Sequence, residues 1–356
     1  MKIGILTQPL HANYGGILQN YALQQVLKRM GHEVWTIDYN NYSWFDWLDN
    51  VCRVCVLKIL GREAHFMETP YERTQKEKPL RYFAEQKIQL TQPRTKKIKR
   101  SVITNYAFDA MVVGSDQVWR PKYNNSIEDC FLNFAAGLQI KRVAYAASFG
   151  TEEWEFTLQQ TERCANLVKF FDAISVREAS GLLLCKQYLG VQATHVLDPT
   201  LLLDAEDYAK LCAGIPKQES VIYAYILDEN DRKKEFIEEF ARRKGLPYII
   251  KRADGAVKAE DSIELWLSYF RDASFVITDS FHGSVFSIIF NKDFYVFENK
   301  KRGNSRFDSL LGLLDLKSRM LCDTLPKNSS TIDWNIVNEK REKEIIKSKQ
   351  WLKQNL

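Results

Sequence analysis

Short apolar runs rich in β-branched and aromatic residues recur along this chain, and most are followed by a stretch with helix-compatible spacing. They fall at residues 3–7, 33–38, 110–114, 142–147, 173–176, 221–226, 247–251, 275–278 and 294–297. A strand, a helix and a further strand in succession need a crossover, so the alternation predicts parallel sheets covered by helices. The first helix is expected over 17–30, stopped by Gly31. The cycle restarts after Asp198-Pro199-Thr200. Two doubly wound α/β domains are therefore expected, over residues 1–195 and 196–333. Residues 334–356 read as a basic amphipathic helix that crosses back onto the first domain. A chain of 356 residues, 45% of them hydrophobic, is long enough for two cores.

The segment over 42–100 breaks the alternation and reads as a helical insertion. Its first part, Trp44-Phe45-Asp46-Trp47-Leu48 onward to Leu60, is aromatic and apolar, and it ends in the basic run Pro93-Arg94-Thr95-Lys96-Lys97-Ile98-Lys99-Arg100. Burial of one helix face is the plain reading. The alternative is peripheral contact with a membrane, because tryptophan beside cations suits the headgroup region.

The charges nearly balance, 50 basic against 45 acidic, and no nucleic-acid-binding signature accompanies the net +5. Seven cysteines without framework spacing indicate thiols in a reducing compartment. Cys52-Arg53-Val54-Cys55 lacks the second pair that a zinc site needs, so no metal is expected. The sequence opens on a strand pattern instead of a secretory signal, and no apolar run is long enough to span a membrane. The expectation is a cytoplasmic protein, with any membrane contact peripheral and at the inner face. The first loop, residues 8–16, lacks both G-x-G-x-x-G and a P-loop lysine, which argues against a dinucleotide or ATP site. Asn13 and Gly15-Gly16 still put backbone N–H groups at a helix start, where a phosphate or sugar fits, and His11 lies in the same loop.

The run Phe275-Val276-Ile277-Thr278-Asp279-Ser280-Phe281-His282-Gly283 places a histidine where a strand ends and a helix begins. The carboxyl edge of an open parallel sheet is where ligands bind, and a helix N-terminus favours an anion. An imidazole there can do acid chemistry on a phosphorylated substrate. Its plainer alternative is a capping or core histidine. Of the others, His32 and His65 read as surface residues and His195 as part of a strand leading into Asp198.

Five stretches together resemble the polysaccharide pyruvyltransferase family. They are Asn13-Tyr14-Gly15-Gly16-Ile17-Leu18-Gln19-Asn20 after the first strand, Val113-Gly114-Ser115-Asp116-Gln117, Ser175-Val176-Arg177-Glu178, Asp198-Pro199-Thr200, and the His282 segment. The resemblance implies two Rossmann-like domains in a GT-B-like arrangement. It also implies transfer of pyruvate from phosphoenolpyruvate to two hydroxyls of one sugar as a cyclic ketal, with phosphate released. Phosphoenolpyruvate is then a donor substrate and no cofactor is needed. The acceptor sugar would be lipid-linked or nucleotide-linked, in exopolysaccharide, capsule or cell-wall polymer synthesis.

On this reading His282 and Asp116 are the catalytic pair, as acid or phosphate partner and as base. Arg177, Arg306, Ser280, Phe281 and Gly283 bind the donor. Asn13, Gly15, Gly16 and His11 are acceptor or loop contacts. Arg177 is expected to project from a strand end and grip a carboxylate or phosphate, the alternative being a structural ion pair with Glu178 or a neighbour. Asp116 has helix capping as its alternative. Some family members carry arginine where Ser280 stands, and a hydroxyl cannot replace that charge. Arg306, or else Arg302, is expected to supply it, with Asp279 pairing with either arginine or orienting His282. Two other functions suit the same architecture: a glycosyltransferase using a nucleotide sugar, and a non-catalytic sugar-binding protein.

Overall fold

The computed structural model describes residues 1–356 except 12, 41–43, 65, 125, 218–219, 253–261, 300–302 and 322–330. Two parallel sheets divide the strands. The first holds β1 (Lys2–Leu6), β2 (Glu33–Thr36), β3 (Ala110–Val113), β4 (Lys141–Ala147), β5 (Ala173–Val176) and β6 (Thr194–His195), in the order β2-β1-β3-β4-β5-β6. The second holds β7 (Ile222–Ile226), β8 (Tyr248–Arg252), β9 (Phe275–Thr278), β10 (Phe294–Phe297) and β11 (Met320–Leu321), in the order β11-β10-β9-β7-β8. Strands β3 and β7 are buried at every position, as expected when both faces of a sheet are covered. At two residues, β11 is too short for periodicity to reveal, and the sequence reading missed it.

The helices are α1 (Tyr14–Arg29), α2 (Trp44–Ile59), α3 (Pro70–Lys87), α4 (Arg100–Tyr106), α5 (Leu158–Val168), α6 (Ala179–Leu184), α7 (Ala205–Leu211), α8 (Asp231–Lys244), α9 (Ile263–Asp272), α10 (Phe281–Ile289), α11 (Ser305–Leu313) and α12 (Trp334–Asn355). Helix α1 starts three residues before the sequence expectation. The Asn13 side chain accepts the Gly16 N–H at 3.1 Å, so Gly15 and Gly16 belong to the first turn instead of the loop.

The insertion between β2 and β3 is helical. Helix α3 opens with a reciprocal capping box between Thr69 and Glu72 and buries Leu80, Phe83 and Ala84 on the first domain. The chain then returns along β2, with parallel bridges from Thr36 to Leu90 and from Tyr39 to Thr95. Helix α12 lies on the first domain: Ser348 Oγ accepts the Leu197 N–H at 3.0 Å, and Trp351 sits 6.0 Å from the Tyr145 ring of β4. Among the described residues, no helix is long and apolar enough to cross a membrane.

The two domains meet at both ends of α1 and between α6 and α11. Tyr14 stacks on Trp266 of α9 at 5.4 Å, Arg29 forks onto Asp207 at 2.9 and 2.7 Å, and Ser309 Oγ accepts the Ala179 N–H at 3.0 Å.

Candidate active site

Strand order fixes where ligands can enter. In the first sheet the chain leaves β1 for β2 on one side and β3 on the other, so the crevice opens where the loops after β1 and β3 part. Those loops carry Asn13 and Asp116, whose side chains meet at 3.4 Å. Gln8 Nε2 ties the same loops together by donating to the Gln117 carbonyl at 3.0 Å. Asp116 has φ +62°, a left-handed conformation that aspartate tolerates better than most residues. Its carbonyl accepts from Val118 and Ser148, which holds the turn.

The corresponding crevice of the second sheet lies between β7 and β9. There Asp279 accepts the backbone N–H groups of Leu227 and Asp228 at 2.6 and 3.0 Å, and Lys233 Nζ at 2.6 Å. Among the described residues, Asp279 therefore neither orients His282 nor pairs with an arginine, and its cation is Lys233, contrary to the sequence expectation. It seals its own crevice by taking the N–H donors of the β7 turn.

His282 occupies the second position of α10, facing the first domain. Ser280 caps this helix by accepting the Gly283 N–H at 3.3 Å, so that N–H is not open to a ligand. Gly283 is needed for packing: a Cβ there would overlap Thr278 of β9. Gly15 does the same between domains, because a Cβ on it would overlap the His282 imidazole. The first turn of α1 and the first turn of α10 thus close on each other.

Behind that contact lies a buried charge cluster. Arg177 Nη1 donates to Asp198 Oδ2 at 2.8 Å and to Gln19 Oε1 at 3.3 Å, and its Nη2 lies 3.7 Å from Asp116. His282 Nε2 stands 3.8 Å from Asp198 Oδ2 and makes no hydrogen bond. Asp198 is fixed by Thr200, whose N–H and Oγ1 both donate to Oδ1. The Phe281 ring carries two guanidinium groups, Arg177 at 4.9 Å and Arg306 at 5.5 Å. His282, Arg306 and Arg177 are 7%, 7% and 4% exposed, so the cleft is closed over them. A surface groove of about 640 Å³, lined among others by Lys96, Lys97 and Tyr106, shares none of these residues.

Burial lowers the His282 pKa to about 4; Asp198 opposes this, and Arg177 reinforces it. The imidazole is neutral at pH 7. Burial also lowers Arg306, helped by repulsion from Arg177, to about 10, so its charge is retained under load. Burial works against the Arg177 charge as well, but Asp198 and Asp116 outweigh it and the pKa rises. Asp198 is penalised by burial, yet Arg177 and His282 hold it below the usual carboxylate range. His11, half-buried, is brought to about 4 by burial and by the charges of Arg73 and Arg94.

The structure thus gathers His282, Asp116, Arg177, Arg306, Phe281, Asn13 and Gly15 at one place, with Gly16 beside Asn13 and Asp116. Arg177 is less open than expected, and its partner is Asp198 instead of Glu178. The Glu178 carboxylate accepts the N–H groups of Phe149 and Gly150 instead. Arg302 and His65 lie outside the described residues. Two members of the cluster escaped sequence reasoning. Asp198 stood in a flagged motif without a role, and Gln19 sits mid-helix, where spacing carries no such signal. Cys52 and Cys55 are exposed free thiols on α2, and no metal-binding group of side chains occurs among the described residues.

A family model described as polysaccharide pyruvyl transferase matches residues 13–301. No curated protein sequence matches the chain significantly. Among solved structures, UDP-GlcNAc 2-epimerase from Methanocaldococcus jannaschii is similar over 97% of this chain and 93% of its own, at 13% identity and a TM-score of 0.50. UGT89C1 from Arabidopsis thaliana, solved with UDP-L-rhamnose, aligns over 98% of each chain at 10% identity and a TM-score of 0.49. At such identities the likeness concerns the fold, which is the two-domain GT-B arrangement.

Proposed function

The chain belongs to the polysaccharide pyruvyl transferase family, and we propose that it transfers pyruvate from phosphoenolpyruvate onto two hydroxyls of one sugar. The observation that carries this reading is the pair of buried arginines on one Phe281 ring beside a neutral imidazole. Two like charges held together out of water repel, and a small, doubly anionic molecule relieves that strain. Phosphoenolpyruvate offers a carboxylate and a phosphate within a few bonds, and guanidinium forks suit both.

The reaction moves two protons. The methylene carbon takes one and becomes a methyl group, the sugar hydroxyls each give one up, and the second ends on the departing phosphate. Two C–O bonds to the sugar form and the C–O bond to phosphate breaks. On this reading Asp116 accepts a hydroxyl proton, and His282 carries a proton to carbon or to phosphate oxygen. His282 starts neutral; an entering phosphate favours its charged form, so the donor itself loads the acid. Asp198 holds the first cation, Arg177, in place.

The acceptor belongs to surface-polymer synthesis on this reading, linked to a lipid or a nucleotide. A lipid-linked acceptor fits the outer face of the insertion. Phe45 and Ile59 of α2 are 81% and 83% exposed, with Leu48 and Val56 between them and Arg53 and Lys58 alongside. Such a helix rests at a membrane surface. The test is incubation with phosphoenolpyruvate and a panel of lipid-linked and nucleotide-linked sugars, read by mass spectrometry. A pyruvyl adduct with phosphate release is expected. Sugar transfer from a nucleotide sugar, without any pyruvyl adduct, would replace this reading by a glycosyltransferase.

A further inference from the structure

A second charge cluster lies on the inner side of the insertion, near the carboxyl edge of the first sheet. Asp38, just past β2, is 1% exposed and takes both ends of the Arg81 fork. Glu77 of α3 is also buried and accepts Arg73 Nε at 2.8 Å. Both buried carboxylates are therefore engaged before Arg94 is counted. Arg94, within the stretch that returns along β2, reaches Asp38 only at 3.4 Å and Glu77 only at 4.0 Å. Its Nε and Nη2 are buried and make no hydrogen bond.

Among the described residues, three guanidinium groups thus share two buried carboxylates, the third carboxylate, Glu85, binding Arg81 from a half-exposed position. A buried donor without an acceptor is costly, on the order of 1–3 kcal/mol for an uncharged group and more for a charged one. Among the described residues, no carboxylate of the cluster gives the two buried Arg94 nitrogens a hydrogen bond. Tyr39, bridged to Thr95 beside Arg94, donates its hydroxyl to the Thr7 carbonyl at 2.9 Å, so the cluster adjoins the loop after β1, which carries His11, Asn13 and the Gln8 tie to Gln117. Burial and repulsion from Arg81 lower the Arg94 pKa, and the charges of Arg73, Arg94 and Asp116 all act on the His11 imidazole.

We propose that Arg94 and Arg73, with His11 of the adjoining loop, form the subsite for the phosphate or diphosphate ester that joins the acceptor sugar to its carrier. This rests on the transferase reading for its direction: the sugar lies toward Asp116 and the ester lies away from it. Arginine suits the role because its planar fork binds phosphate through two parallel hydrogen bonds. The donor cations Arg177 and Arg306 belong to a different cluster, so donor and acceptor anions have separate partners.

Calorimetry on the full chain tests this with inorganic pyrophosphate as probe, in the presence of saturating phosphoenolpyruvate. Wild type should bind it, and Arg94→Gln and Arg73→Gln should each weaken binding at least ~10-fold, in keeping with loss of a charge-assisted pair. Phosphoenolpyruvate affinity should stay within about twofold of wild type in both, because neither residue touches the donor cluster. Arg94→Lys, which keeps charge but loses the fork, should fall between. Thermal unfolding checks each variant, and Arg73→Gln carries the reading if Arg94→Gln does not fold. No pyrophosphate binding to the donor-loaded wild type, or binding indifferent to both substitutions, overturns the subsite and leaves the donor reading standing. Failure of phosphoenolpyruvate to bind sinks the donor reading, whereas Arg94-dependent pyrophosphate binding would still support the subsite. Competition by a nucleoside diphosphate against a prenyl diphosphate then identifies the carrier.

Discussion

The two sheets share one architecture but treat their crevices in opposite ways. Between β1 and β3 the crevice is lined by Asn13 and Asp116 and opens toward cations, whereas between β7 and β9 it is filled by Asp279 and Lys233. The backbone donors that would greet a phosphate in the second crevice are already bonded to Asp279. The candidate catalytic group of the second domain stands one turn onward, as His282 at the domain contact. A repeated fold therefore does not imply a repeated site; the internal carboxylate decides which crevice stays available. It also disfavours the glycosyltransferase reading at that crevice, since a nucleotide phosphate there would have to displace Asp279.

The strongest challenge to this comparison is His282→Asn. If His282 is the mobile-proton group of the cleft, turnover should fall by ~10²- to 10⁴-fold with little change in melting temperature. A folded variant with near wild-type turnover would remove His282 from the mechanism. Asp279→Ala addresses the opposite half: it strands Lys233 and two backbone donors, so unfolding free energy should drop by about 3–5 kcal/mol in denaturant titration. Stability unchanged by that substitution would mean the second crevice is not sealed in the way described.

Arg306→Ala separates function from support. Donor-dependent kcat/KM should fall by about 2–4 kcal/mol, the range for losing a charged hydrogen-bonding group from a desolvated site. Because burial already disfavours the Arg306 charge, its removal should cost less stability than removal of Arg177. Arg177→Ala should instead impair both donor use and stability, since it leaves Asp198 buried without its cation. Equal melting temperatures for the two variants would erase the distinction drawn between them.

Acid titration gives a smaller effect. His282 takes a proton near 6.5 when unfolded but only near 4 when folded. Stability from its neutral burial is therefore present above pH 6.5 and is lost as pH falls toward 4, on the order of 3 kcal/mol. His282→Asn should flatten the unfolding free energy across that window, with His11 leaving a residual slope of the same sign. An unaltered pH profile would place His282 in a more solvated setting. The smallest effect expected is at α2: flotation with anionic vesicles at low salt should capture wild type weakly, and Phe45→Glu with Ile59→Glu should abolish it. Absence of flotation by wild type would leave α2 as a surface for another partner.

Most of the fold was legible because parallel strands announce themselves as continuous apolar runs. Residues 173–176, 275–278 and 294–297 match their strands end for end. Boundaries moved where a side chain intervened, as when Asn13 capped α1 early, and β11 was too short to carry a period. At the site, single residues such as His282 and Arg177 stood out by their place after a strand. Their partners did not, because Asp198 and Gln19 reach Arg177 from 21 and 158 residues away.

The sequence by itself determined the elements, their parallel pairing and which loops gather at the carboxyl edges, since these follow from local periodicity and turn chemistry. Only the tertiary structure decided that Asp198 holds Arg177, that Asp279 belongs to Lys233, and that Gly15 makes room for His282. Those choices depend on which charges share a volume without water, and on the clash or clearance of single atoms between domains. Neither is a property of any segment read alone.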